Sequence, residues 1–394
     1  MRFGSMKSPP RSSPRSPAIS ADDRATREPT DDPVVATPAP IAFVHKGRGA
    51  VSNIAHRFES VQRSTDAEAP TDEDAELPPL ATTVTFETAR SVITRNDSPD
   101  IGFDRSINPY RGCEHGCVYC YARPTHSYLN LSPGLDFETK LVAKRNATEL
   151  LRQELAAPAY RPELLMIGVN TDAYQPIERE FRITRGILEV LSETRHPFGL
   201  VTKSSLVERD LDLIAPMAEQ ELASVSISVT SLDPKLSRVL EPRAASPQRR
   251  LRTVRTLADA GVPVRVNLAP IIPFINEPEI ESIIDAVAHA GAKNAHYTVV
   301  RLPWEVSPLF EEWLGAHFPD RAQRVMNRIR EMRGGKNYDA RFGRRMTGEG
   351  TWARLIEQRF KRASARHGFS DAWPKLRVDL FVPPRPERLQ LDLF

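Results

Sequence analysis

The chain has 394 residues, 40% of them hydrophobic, and a formal net charge of +3. This length predicts about two domains with a sizeable core, and the small net charge gives no whole-chain signal for a polyanionic partner. There is no run of 18 apolar residues, and no apolar segment follows the basic start, so the sequence predicts neither a membrane span nor a secretory signal. We therefore expect a cytoplasmic protein.

Residues 1–82 form a leader that is rich in Pro, Ser, Asp, Arg and Thr and has few aromatic residues. Such a segment buries too little apolar surface to offset the entropy lost on ordering. We expect it to be mostly disordered. Two short basic and aromatic segments, 45–50 and 57–59, interrupt this composition. These segments could dock on the folded domain or contact a polyanion. We favour the interpretation that they are a solvated linker.

From about residue 83, short apolar runs alternate with amphipathic helical segments. The predicted strands are 101–107, 137–143, 164–169, 198–202, 224–229, 264–271 and 296–300. One helix is predicted to start at an Asn146 cap, with Glu149 at the third position of a capping box. The other predicted helices are 177–194, 207–217, 247–260 and 277–290.

Continuous apolar strands that alternate with capped helices indicate βα units around a parallel sheet buried on both faces. Their number is about six. An open doubly wound sheet is the general alternative. A cysteine loop after the first strand and polar residues at several later strand ends favour a partial TIM barrel, in which the site collects at the carboxyl ends of the strands. We assign this α/β barrel to residues 83–301.

The chain contains three cysteines, Cys113, Cys117 and Cys120, spaced CxxxCxxC. Thiolates are soft ligands that select zinc, copper(I) or iron–sulfur clusters, and three of them would leave one iron of a [4Fe–4S] cluster open to a substrate or cofactor. Glycines at 112 and 116 suit a loop wrapped tightly around such a cluster. A zinc site that adds His115 or His126 is the alternative. A disulfide is disfavoured, because three closely spaced thiols without a signal peptide indicate an intracellular metal site.

This spacing, with the aromatic Tyr119 before the last cysteine, resembles the radical S-adenosylmethionine (SAM) superfamily. The resemblance implies a [4Fe–4S] cluster that binds SAM through its free iron, transfers one electron to it and releases a 5′-deoxyadenosyl radical. It also implies a one-electron reductant of the flavodoxin or ferredoxin type.

Polar residues follow the next two buried strands. The pattern Thr-Asp-x-Tyr-x-Pro-x-Glu occupies 171–178, and Thr-Lys-Ser occupies 202–204. Within the superfamily, these motifs resemble the spore photoproduct lyase-like group, which is related to DNA-repair photolyases. That lyase uses an additional cysteine as hydrogen-atom donor. This chain has no cysteine beyond the three, so the resemblance does not carry over its reaction.

The resemblance implies a set of SAM contacts. Groups around Thr171 and Asp172 would receive the ammonium, and Lys203 or Arg243 would pair with the carboxylate. The ribose and adenine would contact Ser204, Ser228 and the peptide at Tyr119. Each residue also has a structural alternative: Asp172 as a helix cap, for example, or Lys203 as a solvated loop residue.

Residues 302–380 are predicted to form a helical extension, with helices at 321–332 and 352–367. Its arginines, with interleaved Phe, Trp and Gly between 341 and 366, suit nucleic acid, although solvated basic faces are the alternative. The Pro-rich tail 381–394 ends in Gln390, Leu391, Asp392, Leu393 and Phe394. This ending is similar to the pentapeptide by which bacterial DNA polymerases and repair proteins bind the replication sliding clamp; packing on its own domain or a chance match is the alternative.

The sequence thus predicts a lyase-like radical SAM enzyme that cleaves SAM reductively and acts in DNA repair or on nucleic acid. One alternative is a radical SAM enzyme acting on a protein or small molecule. Another is a non-enzymatic iron–sulfur protein that binds DNA or the clamp.

Overall fold

The computed structural model describes residues 44–59, 80–369 and 375–384. Its strands are β1 (Thr83–Glu87), β2 (Ile93–Arg95), β3 (Arg105–Ile107), β4 (Tyr110–Arg111), β5 (Lys140–Lys144), β6 (Leu165–Ile167), β7 (Phe198–Thr202), β8 (Ala223–Ser228), β9 (Val264–Ile271) and β10 (Asn294–Val299). The helices are α1 (Asp136–Thr139), α2 (Ala147–Ala156), α3 (Glu178–Phe181), α4 (Ile183–Glu193), α5 (Leu211–Glu219), α6 (Pro234–Leu240), α7 (Pro247–Asp259), α8 (Ile280–His289), α9 (Val306–His317), α10 (Pro319–Glu331) and α11 (Gly350–Arg366). Short 3-10 helices lie at Arg123–Leu129, Ser205–Asp210 and Glu277–Glu279.

The main sheet has the strand order β10-β9-β8-β7-β6-β3-β2. Strands β3 and β6 to β10 are parallel, whereas β2 is antiparallel to β3. Val225 and Ile227 of β8 and Val264 and Val266 of β9 are fully or almost fully buried, as expected of strands covered on both faces. Parallel strands that follow one another in sequence order confirm the predicted partial TIM barrel.

Helices α4, α5, α7 and α8 occupy connections between the barrel strands, with α4 packed on α5 and α7 on α8. Helix α7 illustrates why they form. Ser246 caps its first turn by accepting a hydrogen bond from the Arg249 amide at 3.4 Å, Pro247 has no amide to satisfy, and Gly261 follows its end with φ +78°. The helices therefore begin and end where the strands require a connection.

A second sheet has the order β1-β5-β4, with β1 parallel and β4 antiparallel to β5. Strand β4 ends at Arg111, immediately before the cysteine loop. The amide of Cys113 then donates to the carbonyl of Phe137 at 2.9 Å, just before β5 begins. This sheet fixes the entry to the loop beside the barrel.

Several of the predicted elements differ in detail from the structure. The predicted strand at 137–143 begins as the single turn α1 and becomes β5 only at Lys140. Helix α2 does follow Asn146, but the Asn146 side chain does not cap it. The Asn146 side chain instead accepts the Ala89 amide and donates to the Ala89 carbonyl, each at 2.9 Å. These hydrogen bonds anchor the chain after β1 and use the polar atoms that would otherwise cap α2.

The predicted helix 177–194 is divided into α3 and α4 at Arg182, whose φ is +52°. Glu178 explains the division. Its carboxylate accepts the amides of Thr184 at 3.0 Å and Arg185 at 3.2 Å, and it therefore satisfies the first turn of α4 from outside that helix. The predicted helices 207–217 and 277–290 likewise start as short 3-10 turns.

The C-terminal extension contains α9, α10 and α11, with α10 packed on α9 and α11 packed on α8. Residues 375–384 return to the barrel, where the amide of Val382 donates to the carbonyl of Thr194 at 2.9 Å. In the part of the chain that the structure describes, no helix has the length and apolar character needed to span a membrane. The proposed clamp-binding residues 390–394 lie outside the described residues, as do most positions of the predicted leader.

Candidate functional site

The cysteine loop lies between β4 and the 3-10 helix Arg123–Leu129. Cys113 and Cys117 are buried, Cys120 is half-buried, and all three are free thiols. Burial raises the pKa of Cys117 to about 12, and burial together with the nearby Asp172 carboxylate raises the pKa of Cys113 well above its usual range. Thiolates in such a place require a compensating positive charge.

A buried ion pair fixes the backbone of this loop. Arg123 is fully buried, and its guanidinium donates to the carbonyls of Cys117 at 2.9 Å, Pro133 at 3.1 Å and Gly134 at 2.9 Å. It also pairs with the fully buried carboxylate of Glu138. Because both ions are fully engaged, the pair holds the loop in one conformation.

The two glycines of the loop are in contact with protein atoms. A Cβ on Gly116, which has φ +67°, would lie 2.8 Å from a Glu138 carboxylate oxygen, and one on Gly112, with φ +74°, would lie 2.8 Å from the Phe137 carbonyl. The sequence analysis attributed these glycines to close contact with a cluster. The structure shows that the fold itself already requires them.

Residues 44–59, which we call the N-terminal strap, pack on the cysteine loop. The amides of Gly49 and Ala50 donate to the two carboxylate oxygens of Glu138 at 2.9 and 2.8 Å. Arg48 is buried and donates to the Glu138 carbonyl at 3.0 Å. The solvated-linker interpretation of 45–50 is therefore wrong, because these backbone amides complete a buried charge network.

Asp172 joins two strand ends to the cysteine loop. Its carboxylate accepts the Thr202 hydroxyl at 2.7 Å and the amides of Lys203 at 2.7 Å and Tyr174 at 2.9 Å. His115 Nδ1 lies 3.2 Å from the same carboxylate. Burial opposes ionisation, but His115 and these donors outweigh it and lower the pKa of Asp172 to about 2. Asp172 is therefore a carboxylate at neutral pH.

Lys203 presents a cation beside the cysteines. Its ammonium lies 6.0 Å from the centre of the Tyr119 ring and has neither a hydrogen bond nor an ion pair with any described residue. Burial disfavours its charge, but Cys117 and Glu241 outweigh this effect and raise the pKa of Lys203. An anionic ligand group in this space would find an unpaired partner.

Tyr119 belongs to a buried network that the sequence analysis missed. Its hydroxyl donates to Glu241 and lies 3.4 Å from the Thr230 hydroxyl. Glu241 also accepts the Thr230 hydroxyl at 2.6 Å and pairs with the buried Arg250. Burial works against the Glu241 carboxylate, yet Arg250 and Lys203 lower its pKa to about 2. In the sequence, the only signal for this network is that Thr230 and Glu241 follow β8 and that Arg250 lies in the next long helix, α7.

Of the four other predicted SAM contacts, the side chains of three have partners in the described structure and that of Ser228 does not. The Thr171 hydroxyl donates to the Tyr110 carbonyl at 2.9 Å, and the Ser204 hydroxyl accepts the Leu206 amide at 3.2 Å as the cap of a 3-10 helix. Arg243 lies at the rim, 3.2 Å from the Glu114 carboxylate. Ser228 ends β8, and its carbonyl accepts from Arg250 at 3.0 Å, while its hydroxyl has no hydrogen-bond partner among the described residues.

The two histidines of the zinc alternative have other partners. His115 faces Asp172, and the buried His126 has Nε2 at 2.9 Å from the Lys140 carbonyl. Among the described residues, no three His, Cys, Asp or Glu side chains form a group that could hold a single metal ion. Three soft thiols with no fourth, beside the cationic Lys203, are the donor set that suits a [4Fe–4S] cluster.

A family model described as the radical SAM superfamily matches residues 107–287. An uncharacterized protein of Mycobacterium tuberculosis is 36% identical over 232 residues, which cover 58% of this chain and 67% of that protein. The chain belongs to the radical SAM superfamily. The matched range contains Cys113, Cys117 and Cys120 together with Asp172 and Lys203, so the resemblance expected from the cysteine spacing is confirmed.

Two further similarities are more distant. An uncharacterized protein of Methanocaldococcus jannaschii is 28% identical over 222 residues, covering 56% of this chain and 79% of that protein. A solved structure of a spore photoproduct lyase variant has a TM-score of 0.49 and 16% identity, covering 72% of this chain and 79% of that one. This likeness carries no information about the reaction of this radical SAM protein.

Proposed function

We propose that this radical SAM protein cleaves SAM reductively at a [4Fe–4S] cluster bound by Cys113, Cys117 and Cys120. When bound, the cluster supplies one electron to SAM, whose cleavage yields a radical that abstracts hydrogen from a substrate. The observation that carries the proposal is the buried cysteine loop beside the unpaired ammonium of Lys203, at the carboxyl ends of parallel strands.

Lys203 is the proposed partner of the SAM carboxylate, because it is half-buried beside the cysteine loop and its ammonium has no hydrogen bond or ion pair among the described residues. Asp172 is proposed as a positioning residue. Three hydrogen-bond donors and the His115 ring surround its carboxylate, so it orients the Lys203 backbone and His115 and leaves the SAM ammonium to the backbone around Thr171.

The remaining SAM contacts are assigned to groups that still have hydrogen-bonding capacity in the structure. Ser228 has a free hydroxyl for the ribose, and Ser204 can still donate its hydroxyl proton while its oxygen caps the 3-10 helix. The peptide at Tyr119, held by the Glu241 hydrogen bond, is proposed to face the adenine. Arg243 is the second candidate for the carboxylate, at the cost of its ion pair with Glu114.

We propose nucleic acid, in particular damaged DNA, as the substrate, and a flavodoxin- or ferredoxin-type protein as the reductant. The arginines of the C-terminal extension give limited support, since several are ion-paired: Arg341 with Asp339, Arg345 with Asp100 and Arg359 with Glu277. The clamp-binding pentapeptide stays a prediction.

The test is anaerobic. The reconstituted protein is reduced with dithionite in the presence of SAM, and 5′-deoxyadenosine is measured against a Cys117→Ala variant. We expect 5′-deoxyadenosine only where Cys117 is present, after which lesion-containing oligonucleotides are screened for conversion. A stable cluster without SAM cleavage would overturn the enzymatic proposal and favour an iron–sulfur binding protein.

A further inference from the structure

Three exposed aromatic side chains lie around one arginine at the end of the barrel that carries the cysteine loop. Phe58 is 54% exposed, Tyr128 69% and Trp304 58%. Phe58 belongs to the N-terminal strap, Tyr128 to the 3-10 helix after the cysteine loop, and Trp304 to the segment after β10. We call these three residues and Arg57 the aromatic rim.

The members of the rim are held in fixed positions. The Arg57 guanidinium carbon lies 4.2 Å from the centre of the Trp304 ring, 4.9 Å from that of Phe58 and 5.8 Å from that of Tyr128. Arg57 is anchored by Glu305, which accepts its amide at 3.1 Å and its guanidinium at 2.9 Å. A ligand would meet a surface that is already organised.

In the absence of a ligand, the rim exposes apolar aromatic surface to water, which is energetically unfavourable. One exposed aromatic ring is ordinary, but three neighbouring rings on different segments form an apolar patch that marks an interaction site. Trp304 also has φ +47°, a left-handed conformation that is unfavourable for a bulky residue. Such strain is found where function requires a side chain in a particular place.

Arg301 adds an unpaired cation to the same segment. Its guanidinium lies 5.2 Å from the Tyr121 ring centre and 6.0 Å from that of Tyr338. It donates to the Tyr338 hydroxyl at 3.3 Å and to the Met346 sulfur at 3.5 Å, and it has no ion pair with a described carboxylate. Its Nε is buried without a hydrogen-bond partner in the described structure. Arg301 and Trp304 are three positions apart in the sequence, so their Cα atoms are at most about 11 Å apart. No described carboxylate compensates the charge of Arg301, and an anionic ligand would supply that partner.

We propose that the aromatic rim and Arg301 bind an unstacked strand of nucleic acid, with bases stacked on the rim and a phosphate paired with Arg301. Aromatic faces next to a guanidinium that has no ion pair match the alternation of base and phosphate in a single strand. A duplex keeps its base faces covered, and a neutral proline-rich peptide would leave Arg301 unpaired. This inference rests on the proposed nucleic-acid substrate and deepens it, because the rim lies at the barrel end where the radical would form.

The test measures binding rather than turnover. Fluorescence anisotropy of a labelled oligothymidylate of about 12 nucleotides gives the dissociation constant for the anaerobic, reconstituted full chain. Trp304→Gly removes the ring and suits the left-handed backbone, whereas Trp304→Phe keeps a ring. We expect the glycine variant to weaken binding about 5- to 100-fold and the phenylalanine variant to retain most of it. Arg301→Gln should reduce the slope of log affinity against log salt by about 0.7.

Phe86→Ala is the matched control, since Phe86 of β1 is 44% exposed and has the Arg145 guanidinium 4.0 Å from its ring centre. It should bind like the unaltered protein. Equal losses in the Phe86 and Trp304 variants, tighter binding of the duplex, or no binding by the unaltered protein would each overturn the rim. Binding that depends on Trp304 without conversion of any nucleic acid would support the rim and contradict the proposed substrate. If nucleic acid were converted but the Trp304 variant bound it as tightly as the unaltered protein, the proposed substrate would be supported and the rim would be overturned.

Discussion

The carboxylate of Glu138 accepts the backbone amide of Gly49 at 2.9 Å, although the two residues are separated by 89 positions. The same carboxylate pairs with Arg123, which holds the carbonyls of the cysteine loop. One buried charge therefore connects the N-terminal strap to the backbone that positions the thiols. The strap is therefore part of the structure that holds the cysteine loop in place.

Glu138→Gln tests this connection. The substitution keeps the shape of the side chain but leaves Arg123 as an uncompensated buried cation, so we expect the free energy of unfolding to fall by about 3–5 kcal/mol. Urea denaturation of the anaerobic, reconstituted protein measures this loss, and iron analysis measures how much cluster is retained.

The control for Glu138→Gln is Glu193→Gln. Glu193 pairs with Arg152 at 2.5 Å but its side chain is 51% exposed. Surface pairs contribute about 0–1 kcal/mol, so this variant should lose less than about 1 kcal/mol. Similar losses in both variants would contradict the assigned role of the buried pair.

Gly49→Ala tests the packing of the strap itself. A Cβ at this position would lie 1.7 Å from the carbonyl oxygen of Gly116, a backbone atom that cannot turn away. We expect the strap to move off the cysteine loop, with faster hydrogen exchange at the amides of 49 and 50. Gly102→Ala is the matched control, since no atom lies within 4 Å of its Cβ. Unchanged exchange in the Gly49 variant would contradict the contact.

Lys203→Met tests the proposed partner of the SAM carboxylate. Losing a charge-assisted contact should weaken SAM binding about 10- to 100-fold, while the cluster, bound by the cysteines, remains. Equilibrium binding of SAM and iron content are measured together. The exposed Lys235 of α6 provides the control Lys235→Met, which should bind SAM normally. Equal SAM affinity in the two variants would exclude Lys203 from the site.

The barrel and the cysteine loop could be predicted because their signals are local. Three thiols at short spacing and apolar runs alternating with capped helices occur within short segments of sequence. Topology then places the ends of β6 and β7 at one edge, whereas the roles expected of Asp172 and Lys203 came from the resemblance of the motifs at these two strand ends to the spore photoproduct lyase-like group. The structure brings these two residues together through the hydrogen bond from the Lys203 amide to Asp172.

The buried charges could not be predicted in the same way. Tyr119 meets Glu241 across 122 positions, and a charged residue in a sequence is expected at the surface unless its partner is known. The availability of hydroxyls is also difficult to predict from the sequence. Thr171 and Ser204 look available next to strand ends, but backbone groups left unpaired where strands and helices end compete for them.

A buried histidine far from the cysteines links stability to pH. His196 is fully buried, with Nδ1 3.0 Å from the Pro197 carbonyl and Nε2 2.7 Å from the Tyr160 hydroxyl. Because a carbonyl only accepts, Nδ1 carries the proton and Nε2 accepts from Tyr160. Burial, with a smaller contribution from Arg105, lowers the pKa of His196 from 6.5 to about 4, although the Pro197 carbonyl opposes this shift.

The sign of the pH effect follows from proton binding. Between pH 6.5 and about 4, the unfolded chain binds a proton at His196 while the folded protein does not. His196 therefore does not reduce the free energy of unfolding above pH 6.5, and it reduces this free energy progressively as the pH falls toward about 4. We expect His196 to lower the free energy of unfolding by about 2 kcal/mol at pH 5 relative to pH 7.5. Urea denaturation at a series of pH values measures the slope.

His196→Gln isolates this contribution, because the amide can still accept from Tyr160 but does not titrate. The variant should show a shallower loss of stability between pH 6.5 and 5, whatever its stability at pH 7.5. The exposed His289 of α8 gives the control His289→Gln, whose pH slope should equal that of the unaltered protein. If the His196 variant kept the full slope, protonation of another group would have to account for the loss of stability in acid.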